Sequence, residues 1–423
     1  LRSDRRANPL GAGENDLFHQ QMLSLAWTRT LSERTTVATT VYGFDAGGHY
    51  DIRDAAGFAN YNLHSRWGGI VGTLGWRGDH SMVMVGINAS DYARDHWLNP
   101  RGAVSWSVPY ANTGHKTEGS LFAKGSLGVG IATLFGDVQL REARFRYEPR
   151  GGSIATSPSA RWRFANPKVG ISVRAAESVT TYLSAGMNGR EPTRGDLLAG
   201  ADNIDPGAES SLLPFTRVRA ETVRDLELGA SWRGSTARLE ANAFVMSFRD
   251  ELAPIGEINA IGYTLRKNVP RSFRRGVEAE GAWQITPVLA IDGNVAVTGA
   301  RIAEYRDEAT GVTYRDVVPL LTSKLTANHG VRVTATHWLS LDLDGRYVSR
   351  MMLTNTGDAS SVLPPGYVAD AAVTLGLGRQ TVTIQVRNVL DRDLPTSGYA
   401  DGVQSYYYPL APRNLMVTAR VRF

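Results

Sequence analysis

A membrane-spanning antiparallel β-barrel, an all-β fold, is the fold class that the sequence predicts. Apolar residues recur at every second position through most of the chain, and short connectors alternate with long ones. Strict alternation is typical of strands with one apolar and one polar face. The alternating segments run for about 10 to 14 residues, longer than the strands of soluble sheets and close to those of transmembrane barrels. A sandwich or a propeller is less consistent with long strands whose loops are long at only one end.

The alternation is clearest in the C-terminal half, where apolar and polar residues exchange without a break. In chain order the segments are DLELGASW (225–232), GVEAEGAW (276–283), LAIDGNVAV (289–297), LSLDLDGRY (339–347), TVTIQVRN (381–388) and NLMVTARVRF (414–423). In the last of these we expect Leu415 and Val417 to meet lipid and Arg420 to face a wet lumen, with the terminal Phe423 in an interfacial aromatic girdle.

The connectors fall into two classes. The short ones include Leu31–Arg34, Arg77–His80, Arg233–Ser235, Thr286–Pro287 and Gly378–Gln380. The long ones are Asp45–Ala59, Leu98–Asn112, Pro149–Ser159, Arg190–Thr222, Glu251–Asn268, Ala303–Pro319, Arg350–Pro365 and Leu390–Pro412. Counting back from the C-terminus gives about 17 strands, where a barrel of this type has an even number. The first, Phe18–Thr30, and the last both run toward the short-turn end, so at least one strand is missing before Phe18. The polar, Gly-rich segment Leu1–Leu17 fits that strand poorly.

One segment does not keep a single alternation. Ala132, Leu134, Val138 and Leu140 share one parity, but Ala143, Phe145 and Tyr147 share the other. Either a β-bulge lies near Arg141 or the strand rises out of the membrane there.

Composition excludes several classes of protein. The 423 residues include no cysteine, so thiolate metal sites and disulfides are excluded. We find no apolar run of about 18 residues, the length that a spanning helix needs. The net charge of +5 is spread along the chain, without the basic block of a nucleic-acid binder. The chain begins at Leu1 with no signal-peptide core, which indicates a removed presequence or a start inside a longer protein.

No motif indicates an enzyme or a bound cofactor. HExxH, GxSxG and the P-loop are absent, and the eight histidines are scattered. We therefore expect neither catalysis nor a cofactor.

Four stretches together resemble TonB-dependent outer-membrane transporters. They are NGREPTRGDLLAG (188–200), LELGASWRGSTARLEANAFVMSFRDELAPIGEINAIGYTLRKNV (226–269), SFRRGVEAE (272–280) and NVLDRDLPTSGYADGVQSYYYPLAPRNLMVTARVRF (388–423). The last has the family's C-terminal pattern: Asn-x-x-Asp at a strand end, a loop with Gly and Tyr, Pro-Arg, and a strand ending in Phe. The resemblance extends over nearly the whole chain from Phe18.

The resemblance implies a 22-stranded barrel plugged by an N-terminal domain. With about 17 strands, residues 1–423 would form a single barrel domain without plug, first strands or TonB box. It further implies an outer-membrane location in a Gram-negative-type bacterium, contact with membrane lipid, action of the TonB complex through the missing N-terminal part, and import of a scarce nutrient such as a ferric siderophore. A plugless porin-like channel and a surface-binding outer-membrane protein are the alternatives.

Two pairs of residues are candidates for ligand contact. Arg190 and Arg194 lie where a strand enters a long outer loop, and guanidinium groups suit carboxylate and phosphate groups. An Arg–Glu network that braces the loop base is the structural alternative. Tyr406 and Tyr407 lie in the last outer loop, where aromatic rings can stack on a ligand. Girdle or loop packing is the structural alternative for these tyrosines.

Overall fold

The computed structural model describes residues 14–53, 57–102, 109–207, 215, 217–259, 262–308, 310–400 and 404–422. Within them the chain forms 22 strands and one short helix. The strands are β1 (Asp16–Ser32), β2 (Thr35–Arg53), β3 (Gly57–Arg77), β4 (Ser81–Gly102), β5 (Tyr110–Val129), β6 (Ala132–Gly151), β7 (Ser159–Ala176), β8 (Val179–Arg190), β9 (Glu221–Arg233), β10 (Ala237–Ile258), β11 (Thr264–Thr286), β12 (Leu289–Arg306), β13 (Thr313–Val317), β14 (Leu325–Thr336), β15 (Leu339–Val348), β16 (Met351–Met352), β17 (Val362–Leu363), β18 (Gly366–Leu377), β19 (Gln380–Arg387), β20 (Pro395–Ala400), β21 (Ser405–Pro409) and β22 (Asn414–Val421). The helix is α1 (Arg194–Leu197), and no helix in the described part of the chain is long and apolar enough to cross a membrane.

Eighteen strands make one antiparallel sheet in which neighbours in sequence are neighbours in space. Both β13 and β14 pair with β12, so the two together act as a single interrupted strand. Counted in this way the sheet has 17 strands, in agreement with the number predicted. Two small hairpins, β16–β17 and β20–β21, lie outside the sheet.

In the part of the chain that the structure describes, the first and last strands of the sheet are its two edges. β1 pairs with β2, and β22 pairs with β19. Among the described residues no ladder joins β1 to β22. Every residue of both strands is exposed to solvent. The prediction for Leu1–Leu17 falls mostly on residues 1–13, and the predicted girdle position falls on Phe423; these residues lie outside the described ones.

The predicted strand lengths are wrong at the end with the long connectors. β11 reaches 23 residues, and the predicted connector Asp45–Ala59 is mostly strand, because β2 continues to Arg53 and β3 begins at Gly57. At this end the hydrogen-bonded strand pairs continue beyond the segments in which apolar and polar residues alternate. Backbone pairing does not require that alternation, because it does not depend on which face of the sheet a side chain occupies. We name this end of the sheet the long-loop end. At the other end the turns stay short, and two of them contain Gly130 at φ 59° and Gly378 at φ 66°.

No bulge lies near Arg141. β6 pairs with β7 in unbroken register from Ala132 to Arg146. Leu134, Val138 and Leu140 are exposed on the outer face, whereas Phe145 and Tyr147 are buried on the inner face. The change of parity marks the height at which the outer face stops being apolar and the inner face becomes covered.

Candidate binding surface at the long-loop end

The connector between β8 and β9 is folded against the inner face of the sheet at the long-loop end. Tyr147 has no exposed surface, and Phe145 is 8% exposed. The residues that form this small core are Phe145, Tyr147, Ile154, Leu197, Leu198, Ile204 and Phe215. Apolar burial therefore holds the connector in place.

The connector begins with a capped turn of helix. Thr193 precedes α1, and its hydroxyl accepts a hydrogen bond from the backbone N–H of Asp196. The Asp196 carboxylate in turn accepts from the backbone N–H of Thr193 at 2.8 Å. This reciprocal capping box satisfies two N–H groups that a helix start leaves free. Gly200, at φ 81°, then turns the chain back toward the sheet.

Arg194 is the polar centre of the docked connector. Its Nη2 donates to Asn112 Oδ1 at 2.8 Å and to the backbone oxygen of Asp202 at 2.6 Å. Its Nη1 lies 3.5 Å from the Asp202 carboxylate, and its side chain is 15% exposed. Burial raises the pKa of Asp202 and lowers the pKa of Arg194, and the attraction between the two charges opposes both shifts.

Asn203 and Tyr147 continue this network. Tyr147 Oη donates to Asn203 Oδ1 at 2.9 Å, and Asn203 Nδ2 donates to the backbone oxygen of Gly152 at 2.7 Å. His96 lies on the other side, with its Nδ1 3.6 Å from Asp202 Oδ1. The connector is thus tied by hydrogen bonds to strands β5 and β6 and to the turn after β6.

Glu191 joins the base of the connector to the strand wall. Arg141 donates to both of its carboxylate oxygens, at 2.8 and 2.6 Å, and Lys116 Nζ lies 2.6 Å from Oε1. Arg141 also binds Glu118 at 2.7 Å. Burial alone would raise the pKa of Glu191, but the hydrogen bonds from Arg141 and Lys116 lower it to about 2.

Arg190 forms a separate, more exposed pair. Its Nε and Nη2 donate to the two carboxylate oxygens of Glu221, each at 2.9 Å. The Arg190 side chain is 47% exposed. Both arginine candidates therefore have protein carboxylates as partners, as in the structural alternative.

Tyr406 and Tyr407 lie on the β20–β21 hairpin. The Tyr406 ring stacks on Tyr399 with centroids 4.8 Å apart and planes inclined at 13°. Tyr407 is 41% exposed and donates from Oη to the backbone oxygen of Val362 at 3.1 Å. The hairpin packs near β17, whereas Arg190 and Arg194 lie with β5, β6 and β9. The structure places the four candidates in two clusters rather than one.

Sequence reasoning missed the residues that hold the connector from the strand side. These are His96, Asn112 and Tyr147, together with Asp202 and Asn203 of the connector itself. The change of parity at Tyr147 was the one sequence signal of a covered inner face.

The lumen beneath is acidic on the wall from β9 to β11. Glu227, Glu240, Glu278 and Glu280 line an inner cavity of about 560 Å³. Tyr182 donates to Glu227 at 2.6 Å, and Glu240 stands directly opposite Glu280 across the β10–β11 ladder. Within the described residues, no three His, Asp or Glu side chains form a metal-binding group.

Solved structures with the same fold are receptors and transporters rather than enzymes. The ferric-catecholate import receptor Fiu from E. coli K12 in its closed form aligns with a TM-score of 0.75 at 16% identity, over 97% of this chain and 65% of that one. The copper transporter OprC aligns at 0.78 and 16% identity, over 98% and 66%. The ferric yersiniabactin uptake receptor FyuA from Yersinia pestis aligns at 0.73 and 16%, over 98% and 63%. The chain thus spans slightly less than two thirds of the length of these structures.

The sequence itself matches a family model. A comparison with curated proteins finds no match. The model described as "TonB dependent receptor-like, beta-barrel" matches residues 2–389, most of the chain. The antiparallel sheet is consistent with this match, and the chain belongs to the TonB-dependent receptor-like β-barrel family.

Proposed function

We propose that this chain is the barrel part of a TonB-dependent receptor that imports a chelated metal across the outer membrane, with a ferric siderophore as the ligand. The family match over residues 2–389 carries the proposal. Receptors of this family are outer-membrane proteins of Gram-negative bacteria. Three of the similar structures are named for ferric catecholate, ferric yersiniabactin and ferric citrate, and one for copper.

Residues 1–423 form a single barrel domain in this proposal. The outer loops bind the ligand, and the TonB complex acts through a part of the receptor that corresponds to the remaining third of the relatives' length. Arg194 is a positioning residue, since its donors are directed to Asn112 and Asp202 and hold the connector at the mouth. Arg190 and Tyr407, which are 47% exposed in the side chain and 41% exposed respectively, are the candidates for direct ligand contact.

Uptake by the intact receptor tests the proposal. The gene, with its complete reading frame, is deleted in the source bacterium and restored on a plasmid. Uptake of labelled ferric catecholate, ferric citrate and copper chelate is then measured at limiting iron. We expect loss of one ferric uptake on deletion and its return with the plasmid, in a TonB-dependent manner.

Two results would contradict the assignment. Equal ferric uptake with and without the gene, together with loss of copper uptake, would make the ligand a copper chelate. A large steady single-channel conductance of the purified full-length protein would indicate a passive channel. Separation of the inner and outer membranes, followed by immunoblotting, checks the location independently.

A further inference from the structure

His96 is a buried imidazole beneath the connector between β8 and β9. It lies on β4, in register with Leu63 on β3 and Asn112 on β5. Its side chain is 10% exposed, and its Nδ1 lies 3.6 Å from Asp202 Oδ1. Arg194 binds the neighbouring Asn112, so the docked connector covers this imidazole.

The two ring nitrogens of His96 have different surroundings. Nδ1 faces the Asp202 carboxylate, so the neutral ring carries its one proton there. Nε2 is buried and has no hydrogen-bond partner among the described residues. A second proton can bind only at Nε2, where it would create an N–H donor without an acceptor. Such a buried donor costs its full desolvation free energy.

The charges around His96 also oppose a second proton. Burial lowers the pKa of His96 well below 6.5, and the nearby guanidinium groups of Arg194 and Arg94 lower it further. Asp202 supplies a negative charge, but its carboxylate also lies 3.5 Å from Arg194 Nη1. Two cations thus stand against one carboxylate beside the imidazole.

Three tyrosines complete these surroundings without adding charge. Tyr61 on β3 and Tyr110 on β5 both lie opposite Leu98 of β4, and Tyr50 on β2 stacks on Tyr61 with ring centroids 5.1 Å apart. Burial raises the pKa of all three, that of Tyr61 to about 12, so the hydroxyls are neutral near pH 7. Tyr110 donates to the Asp202 carboxylate, which therefore has three neighbours to satisfy.

We propose that His96 makes the docking of the connector depend on pH. The connector docks over a neutral imidazole, and uptake of a second proton at Nε2 releases it. In the released state water hydrates the new N–H, and the imidazolium is separated from Arg194. A mildly acidic medium would thereby uncover the inner face of β3 to β5 at the long-loop end. This switch needs no ligand and is independent of the proposed transport function.

The pH range follows from the direction of the shift. A histidine in water takes up its proton near pH 6.5, whereas docked His96, with its lowered pKa, does so only at lower pH. The released connector therefore binds more protons between these two values. Docking is strongest above pH 6.5 and weakens as the pH falls below it. Between pH 7.5 and 5.5 the release equilibrium constant should rise about five- to tenfold.

Two carboxylates near the connector respond differently. Burial raises the pKa of Asp202 from 3.8, so its protonation favours docking and opposes the effect of His96. Glu191, with a pKa of about 2, begins to respond only below pH 4.5. A release that starts near pH 6.5 is therefore specific to histidine.

A spin label on the connector measures its release. Residues 1–423 contain no cysteine, so Ala201→Cys, at an exposed position of the connector, gives one labelling site in this chain. The full-length receptor carries a nitroxide there, in detergent and without ligand. Its EPR spectrum gives the docked and mobile fractions at increasing urea, at pH 7.5 and at pH 5.5. At equal urea we expect about five- to tenfold more release at the lower pH.

Three variants assign the response to a residue. His96→Gln keeps a polar side chain that does not titrate, so its release should be equal at both pH values. Arg94→Gln removes one of the two cations beside the imidazole and should make the pH response smaller than in the wild type. His115→Gln is the control, because His115 binds Glu148 at 3.1 Å on β6 rather than the connector, and it should retain the wild-type response.

Several outcomes would overturn the proposal. They are equal release of the wild type at both pH values, a wild-type response in His96→Gln, and loss of the response in His115→Gln. Heat-dependent gel mobility verifies that each variant is folded. If His96→Gln does not fold, Arg94→Gln decides, since a response equal to that of the wild type would exclude His96. Because no ligand is present, a negative result leaves the proposed transport function standing.

Discussion

Arg194 and Asp202 bind each other within the connector between β8 and β9. Arg194 Nη2 lies 2.6 Å from the backbone oxygen of Asp202, and Nη1 lies 3.5 Å from its carboxylate. The same guanidinium reaches Asn112 on the strand wall. A single side chain thus fixes both the shape of the connector and its position on β5.

Removal of Arg194 should release the connector while the sheet stays folded. Arg194→Ala leaves the Asp202 carboxylate, 22% exposed, without its nearest cation. Loss of one partner of a fully buried pair costs about 3–5 kcal/mol, so we expect a cost at or below the lower end of that range. Hydrogen–deuterium exchange of residues 193–204 should rise, with little change in the strands. Arg190→Ala is the control, because its pair with Glu221 is half exposed and contributes about 0–1 kcal/mol. Equal exchange in both variants would show that Arg194 does not hold the connector.

Acid should loosen the base of the connector through Glu191. Its pKa is lowered from 4.5 to about 2, so the folded state favours the carboxylate and the unfolded connector binds the proton more tightly. The stabilisation is therefore complete above pH 4.5 and is lost as the pH falls toward 2. Limited proteolysis by an acid protease should show cleavage after residue 190 increasing through this range.

Glu191→Gln provides the matching comparison. It should make the connector sensitive already at neutral pH and flatten its dependence on acid. Glu118→Gln removes a second partner of Arg141 and should retain the acid dependence of the wild type. An unchanged pH profile in Glu191→Gln would assign the acid sensitivity to another group.

Tyr407 distinguishes ligand contact from loop packing on the β20–β21 hairpin. Tyr407→Phe removes only the hydrogen bond to Val362, at a cost of about 0.5–1.5 kcal/mol, and keeps the ring. If the ring stacks on ligand, Tyr407→Leu should raise the KM for ferric chelate uptake several-fold while Tyr407→Phe leaves it near wild type. A wild-type KM in Tyr407→Leu as well as in Tyr407→Phe would limit Tyr407 to loop packing.

The facing carboxylates of Glu240 and Glu280 should weaken the wall between β10 and β11. Like charges directly opposite each other on neighbouring strands are destabilising by about 0.2–1 kcal/mol. Glu280→Gln should therefore raise the denaturant midpoint of the purified barrel slightly, and more at low salt than at high salt, because salt screens the repulsion. Glu278→Gln, which faces Asn242, is the control and should change the midpoint less.

The sequence predicted the sheet well because its signals are local. Alternation in segments such as Leu226–Trp232 and Leu339–Tyr347 depends only on which residues meet the apolar side, and the structure has strands in both. The docked connector could not be predicted in the same way. Tyr147 and Asn203 are 56 residues apart, and their hydrogen bond exists only because β6 continues beyond its apolar part.

The site candidates show the same limit. Arg190 and Arg194 are four residues apart in the sequence, yet the side chain of one is half exposed and that of the other is only 15% exposed. The capping box at Thr193 produces this difference, since it starts a helical turn that directs Arg194 toward the sheet. That turn and its packing determine which of the two arginines faces solvent. The pattern of charges in the sequence contains neither.

The direction of the two edge strands governs how copies of this sheet can associate. β1 and β22 both run from the long-loop end toward the short turns, and each leaves one row of N–H and C=O groups without a ladder among the described residues. Copies inserted in one membrane share one orientation, so any two of these edges that meet side by side are parallel and cannot form the antiparallel ladders of this sheet. In detergent a copy can invert, and antiparallel edge-to-edge joining becomes possible. In a bilayer, which imposes a common orientation, these edges could meet only as parallel strands, whose pairing is slightly less stable per residue than the antiparallel pairing that micelles would permit.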